Sequence, residues 1–458
     1  MDIATPNSII PNHIRIKPFQ PIAFTEFANN VEEKAKFDDL YERCLLFGEH
    51  TWGLDVKTVL GRTRHYDKEG FENDKSNADV QLIEKSWNEQ RKRVDFEAPV
   101  DVETDFGKSD LLENDKIEVK LSETGIEIFE KGTGSVFTNE GFGRVQYDIF
   151  SNDDITDFIR DCSYRFFFWS VEDFGRLCYP EIEHMTYDFK NDIIANNICK
   201  SKEQSFIKEI ETKIGVHKEH PYVDLTYNIT KEETPLVESA NIMLPFNLND
   251  DFTVEFSKTS SVVDWKRDIV KGANYGLQCV GKWINVYDGE KGVLIIPYNT
   301  PLFSVGKNQV YKFVTDVYDT KPTIYINLFN NSWGTNFPQW MGGEYTFKLR
   351  LCPYVGKMTT ERAYEIANSS FSDFGISDIA DIDIGVELLS YKIAENKKGT
   401  VLRIKSCSEN TTTITLKPKF EYKSCWYSNI LEENQYKFDN DISFDSKPYE
   451  IHTLYFEV

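Results

Sequence analysis

Basic charge is scarce in this 458-residue sequence: 52 Lys and Arg stand against 75 Asp and Glu, a net charge of −23. The longest basic run is Arg91-Lys92-Arg93, so neither nucleic acid nor an anionic membrane surface is expected as a partner. No apolar run approaches the roughly 20 residues of a membrane-spanning helix. Residues 1–19 lack the charged-then-apolar order of a secretion signal. The eight cysteines form no Cys-x-x-Cys pair, which reads as free thiols in a reducing compartment and gives a cytoplasmic expectation. Nucleotide chemistry through a phosphate loop is excluded as well. The nearest approach, Gly276 to Lys282, is followed by Trp283, which has no hydroxyl for magnesium. Gly-x-Ser-x-Gly and His-Glu-x-x-His are both missing, and Asp173-Phe174-Gly175 stands without the rest of a kinase signature.

Aromatic residues are abundant, at 14% with 33 Phe and 23 Tyr, which favours β-rich packing and sugar-facing surfaces. The length predicts two to four domains. Residues 1–26 hold four prolines and read as an extended lead-in. Stretch 27–47 carries a helical stripe of Phe37, Leu40, Tyr41, Cys44 and Leu45, after which Gly48 ends or bends it. The polar stretch 62–77 reads as a loop. A second helix is expected over 77–98, with Val80, Ile83, Trp87 and Val94 inward and Pro99 as its stop. Residues 27–100 thus form a helical unit that needs a further surface to cover it.

Beyond Pro99 the period changes to two, as in Ile117-Glu118-Val119-Lys120-Leu121. Further strand-like runs are expected at 125–130, 252–256, 283–287, 292–296, 311–317, 325–329, 345–351, 401–404, 412–416 and 451–458, with a helical interlude at 359–368. The predicted fold is mainly β: a large antiparallel β-sandwich over 101–383 and a small C-terminal β-sandwich over 384–458.

The run Leu45-Leu46-Phe47-Gly48-Glu49-His50-Thr51-Trp52-Gly53-Leu54-Asp55 would deliver a single histidine from a helix end. His50 is a candidate metal ligand, with Glu49 or Asp55 orienting its ring; the alternative is an ordinary hydrogen-bonded histidine. The triplet His65-Tyr66-Asp67 lies in the polar loop, and His217 and His220 sit in a polar loop beside Pro221. The paired carboxylates, among them Asp250-Asp251 and Glu432-Glu433, read as solvated surface. A second candidate is the segment from Asn327 to Trp340, which crowds four Asn and two Trp into a strand end and the following turn. Trp333 and Trp340 could stack on pyranose rings while Asn336 satisfies hydroxyls. Equally, the segment could be a packed corner with its Asn side chains capping the backbone.

Three runs, Glu49-His50-Thr51-Trp52-Gly53-Leu54-Asp55, Ser86-Trp87-Asn88-Glu89-Gln90-Arg91 and Asn330-Asn331-Ser332-Trp333-Gly334-Thr335-Asn336-Phe337-Pro338, resemble glycoside hydrolase family 38, the α-mannosidases, in a divergent bacterial branch. Pro448 to Leu454 is similar to that family's closing strand, and Ser428 to Glu433 to the segment before it. The resemblance covers roughly residues 27–458. It implies a β/α barrel, a helical bundle and β-sandwich domains, of which this sequence has the helical remnant and the sandwiches. It also implies a retaining mechanism with an Asp nucleophile and an acid carboxylate, and a zinc ion held by three barrel ligands and a bundle histidine. His50 matches that bundle histidine, with Thr51 replacing the usual Asp and Glu49 the usual first His. One ligand does not make a catalytic zinc site, so zinc is expected only if a barrel partner completes it. The resemblance thus implies the C-terminal portion of an α-mannosidase-like protein, truncated or split from its barrel and inactive alone. Expected partners are carbohydrate, a separately encoded barrel chain, or further copies in a homo-oligomer. The alternative is a non-catalytic carbohydrate-binding or structural β-sandwich protein.

Overall fold

A computed structural model describes residues 42–43, 46–47, 54, 68–93, 112–122, 125–150, 154, 157–158, 161, 185–189, 196–198, 206–259, 261–331, 338–371, 375–383, 385–439 and 441–457. Among these the architecture is mainly β, built from antiparallel sheets as the sequence predicts. No helix of the described residues is long and apolar enough to cross a membrane.

Two sheets make the large sandwich. One has eight strands in the order β10 (Ser261–Asp264), β9 (Thr253–Lys258), β12 (Ile284–Tyr287), β13 (Lys291–Pro297), β16 (Gly343–Val355), β7 (Val223–Lys231), β6 (Ile207–Val216), β5 (Asn196–Ile198). The other has six: β11 (Leu277–Cys279), β14 (Leu302–Val305), β15 (Thr323–Asn330), β8 (Glu238–Pro245), β3 (Arg144–Ile149), β4 (Met185–Phe189). Alternation sends Val223, Leu225, Tyr227 and Ile229 of β7, and Ala240, Ile242 and Leu244 of β8, into one shared core. A hairpin of β1 (Ile117–Ser122) and β2 (Gly125–Glu130) adds Ile117, Val119, Ile126 and Ile128 to it. The hairpin rests against the turn at Gly141 and Gly143, whose φ angles of +84° and +82° favour glycine.

Strand β13 departs from alternation, and its packing shows why. Val293 and Ile295 face the main core, whereas Leu294 and Ile296 face a second cluster formed with Ala363, Tyr364, Ile366 and Ala367. Those four residues come from the helix Thr360–Phe371, which covers the outer side of the strand. A strand covered on both faces needs an unbroken apolar run.

The C-terminal sandwich pairs a three-stranded sheet, β17 (Ala380–Ile382), β20 (Thr412–Pro418), β23 (Ile442–Ser446), with a five-stranded one. The latter runs β18 (Val386–Ile393), β19 (Gly399–Ser406), β24 (Ile451–Glu457), β21 (Ser424–Ser428), β22 (Asn434–Phe438). Leu402, Ile404, Ile414, Leu416, Leu454 and Phe456 fill its core. At its end His452 is buried, with Nδ1 2.9 Å from the Tyr427 hydroxyl, Nε2 2.8 Å from Ser446 Oγ, and the ring 4.7 Å from that of Phe444. The junction with the large sandwich combines apolar contact at Cys407 with an ion-pair cluster: Glu387 accepts Lys405 at 2.6 Å and also pairs with Lys282, which donates to Asn368 at 2.7 Å.

Several expectations shift. The stretch 62–77 is not all loop, because Lys68–Asp74 forms a helix, α1, whose one apolar side chain, Phe71, is buried by tertiary contact. The expected strand at 311–317 does not form. Tyr311 adopts φ +60°, and Asn274 Oδ1 accepts the Val314 amide in place of a ladder partner. Glu432 is not a solvated surface acid: its side chain is 8% exposed, pairs with Lys392 at 2.7 Å and accepts the Glu395 amide. Cys279, Cys352, Cys407 and Cys425 are free thiols.

Candidate functional site at the helix–sandwich corner

The second helix, α2, spans Ala78–Lys92. Asn77 caps it by accepting the Asp79 amide at 2.9 Å, and Asp79 and the pair Arg91, Lys92 suit the two ends of its dipole. Its buried stripe is Val80, Ile83 and Trp87, as the spacing predicts; Val94 lies outside the described residues.

That stripe meets the Asn327-to-Trp340 segment through tryptophan. Trp340 stands edge-on to Trp87 and Phe71, with centroids 5.0 and 5.5 Å away, and its indole N–H donates to Glu84 Oε1 at 2.9 Å. Trp340 is 5% exposed, so it presents no face on which a pyranose could stack. The sugar-stacking role expected for it gives way to packing, because the helices need an apolar surface beneath them.

The first motif run reaches the same helix. Ser86 Oγ donates to Ile83 O at 2.7 Å and accepts the Leu54 amide at 3.1 Å. Gln90 Nε2 donates to the carbonyls of Leu46 and Phe47 at 3.2 and 3.3 Å. Ser86 and Gln90 therefore hold the chain on both sides of the Glu49-His50 pair. Glu49, His50, Asp55, Trp333 and Asn336 themselves lie outside the described residues, as does His65-Tyr66-Asp67.

Asn327, Asn330 and Asn331 spend their amides on bonds within the fold. Asn331 Oδ1 accepts the Glu238 amide at 2.7 Å, and its Nδ2 donates to Leu236 O and Gln339 O at 2.7 and 2.8 Å. Asn330 Nδ2 donates to Asn327 Oδ1, and Asn327 Nδ2 to Asn241 Oδ1, at 2.8 and 3.0 Å. A bulge between Asn327 and Phe329 turns this strand end so that the amides lie together.

Beneath the corner lies a buried charge cluster. Lys231 Nζ and Glu238 Oε1 are 2.7 Å apart, and neither side chain is exposed. The Tyr147 hydroxyl donates to Glu238 Oε2 at 2.5 Å; Lys231 also donates to the carbonyls of Glu232 and Met341. Burial pushes the Glu238 carboxyl above the usual carboxylate range, against the pull of Lys231 and Tyr147. The pair grips the corner from both ends: Lys231 holds Met341, and the Glu238 amide holds Asn331. The signal in the sequence was positional, since Lys231 continues the inward series Val223, Leu225, Tyr227, Ile229 and Glu238 opens the inward series of β8.

His217 and His220 do approach, with ring centroids 4.9 Å apart. Nδ1 of His217 accepts the amides of Glu219 and His220, each at 3.1 Å, which puts its proton on Nε2 and leaves no lone pair for a metal. Among the described residues, no three His, Cys, Asp or Glu side chains converge to hold a metal ion.

Residues 385–454 match the family described as the glycosyl hydrolases family 38 C-terminal beta sandwich domain. No curated protein matches the chain. Among solved structures it is similar to an alpha-mannosidase from Enterococcus faecalis V583, at 17% identity and a TM-score of 0.51, over 75% of this chain and 42% of that one. A protein in glycosyl hydrolase family 38 from Enterococcus faecalis is similar at the same identity and TM-score, over 75% of this chain and 43% of its own. The chain thus spans less than half the length of these structures. The fold shared with them, together with the C-terminal domain match, bears out the likeness to family 38 read from the sequence.

Proposed function

We propose that this chain supplies the helical and β-sandwich portion of an α-mannosidase-like glycoside hydrolase of carbohydrate metabolism, and that it does not cleave glycosides alone. The observation that carries this reading is that α2, which bears one of the resembling runs, holds residues in or beside the other two. Ser86 and Gln90 hold the flanks of the His50 run, while Trp87 and Glu84 hold Trp340. A scaffold that gathers these segments is what a sugar site built on the helices would need.

His50 is the one position proposed for zinc, which would polarise substrate hydroxyls when bound. A lone imidazole does not make a catalytic zinc site, so in this reading the chain's own part is to present that histidine. The other ligands and the two carboxyls fall to a barrel. The surface of the helical unit suits such a partner: Leu46, Leu54 and Leu82 are exposed there, at 42%, 37% and 51%. A non-catalytic sugar-binding role would rest on Trp333 and Asn336 without Trp340.

The test is an assay of the purified chain on aryl α-mannosides with and without added zinc. No turnover is expected. Clear turnover that His50→Ala abolishes would overturn the proposal.

A further inference from the structure

The loop between β6 and β7, residues 217–222, folds around a side chain rather than around glycine. Nδ1 of His217 accepts two successive backbone N–H groups, from Glu219 and His220, at 3.1 Å each. The turn closes with the His217 amide on Tyr222 O at 2.9 Å, and the His220 ring stacks on Tyr222 at 5.0 Å.

The turn in turn holds another element. Asn114 Nδ2 donates to the carbonyls of His217 and His220 at 2.7 and 2.8 Å, and Lys116 Nζ donates to Glu219 O at 2.9 Å. Asn114 also starts β1, its Oδ1 accepting the amides of Lys116 and Ile117. The far side of the hairpin has its own tethers, since the Ile126 amide bonds Phe142 O and Phe137 bonds Ile128 O. The turn therefore governs the β1 end, which places Ile117 and Val119 in the main core.

We propose that the His217 turn is a pH-operated latch that holds the β1 end of the hairpin against the sandwich while the ring is neutral and releases it when the ring takes up a proton. An imidazolium carries hydrogen on both nitrogens, so it cannot accept the Glu219 and His220 amides. Losing those bonds displaces the two carbonyls that Asn114 grips. The charged groups around the ring are His220 and Glu219 of the turn, Asp224 of β7 and Arg350 of β16, with the Lys116 ammonium on Glu219 O. Burial, then His220 and Arg350, favour the neutral ring; Asp224 and Glu219 oppose them. The closed state binds fewer protons than the open one, so closure is complete above the ordinary histidine range and weakens as pH falls through it.

The test is hydrogen exchange by mass spectrometry on peptides covering 112–122 and 217–222 between pH 7.5 and 5, corrected for the chemical pH dependence. In the wild-type chain both peptides should lose protection together, by about tenfold per pH unit once the ring titrates, the slope of one linked proton. His217→Asn, whose Oδ1 can accept the same amides without titrating, should stay protected at both ends of the range. His217→Phe should be unprotected throughout, and His220→Gln should keep the wild-type slope. Flat exchange in the wild type, or a wild-type slope in His217→Asn, would overturn the latch.

Discussion

Lys231 and Glu238 face each other at 2.7 Å with no exposed side-chain surface, although one belongs to the eight-stranded sheet and the other to the six-stranded sheet. The pair is the electrostatic tie between the sheets at the corner that carries Asn331 and Trp340. Its removal should be costly in one way and cheap in another. Lys231→Met or Glu238→Gln alone leaves an uncompensated partner in the core and should cost about 3–5 kcal/mol. The double replacement Lys231→Met with Glu238→Gln should recover most of that loss. Urea unfolding of the four proteins gives the coupling; additive losses would show that the pair does not act as a unit.

Trp340 should behave as a core residue. Trp340→Ala empties the space between α1, α2 and the sandwich and should cost about 3–5 kcal/mol. Trp340→Phe keeps much of the packing, loses the bond to Glu84, and should cost on the order of 1 kcal/mol from that bond. Limited proteolysis reads the difference: cleavage within 68–93 should rise sharply in the alanine variant and slightly in the phenylalanine one.

Acid should weaken the C-terminal sandwich through His452. Burial holds its ring below the ordinary histidine value, with Glu450 pulling weakly the other way. The unfolded chain then binds the proton more readily than the folded one. Stability is therefore full above the unfolded pKa of about 6.5 and falls as pH drops from there toward the depressed folded value. Unfolding free energies at pH 7.5 and 5.5 should differ less in His452→Gln than in the wild type; an unchanged difference would assign the acid sensitivity elsewhere.

Glu387 should set whether the two sandwiches melt together. Burial alone would raise its carboxyl, but Lys282 and Lys405 together hold it below the usual range. Its contribution is present above the unfolded carboxylate pKa and is lost as pH falls through the depressed folded one. Glu387→Gln leaves Lys405, itself 2% exposed, without its charge partner. Calorimetry should resolve two transitions in that variant where the wild type shows one.

What the sequence revealed followed the strength of its periodicity. Val80, Ile83 and Trp87 announced α2, and the alternation at 117–121 and 125–130 announced the hairpin. The helix Lys68–Asp74 was illegible because one apolar residue, Phe71, cannot display a period, and its anchor is Trp340, some 270 positions away by the numbering. The run 311–317 misled because its apolar spacing is strand-like while Tyr311 takes a left-handed backbone. At the corner, the same Asn and Trp composition suits a sugar or a turn, and the partners of Asn331 and Trp340 decide for packing at those two positions. Lys231 and Glu238 were marked by their inward positions, a sign that alternation carries but that composition conceals.

The place of β24 bears on how the C-terminal sheet closes. This strand, Ile451–Glu457, lies between β19 and β21, paired with β19 over residues 451–457 and with β21 over residues 453–457. Without β24, β18–β19 and β21–β22 are two separate ribbons, each with a bare inner edge, and no earlier strand among the described residues fills the gap. The five-stranded sheet cannot close until residues 451–457 are available, so the inner edges of β19 and β21 stay bare until β24 joins them. A chain cut back to residue 450 should leave these ribbons protease-sensitive, while the described strands of the large sandwich, complete by residue 355, keep their pairing.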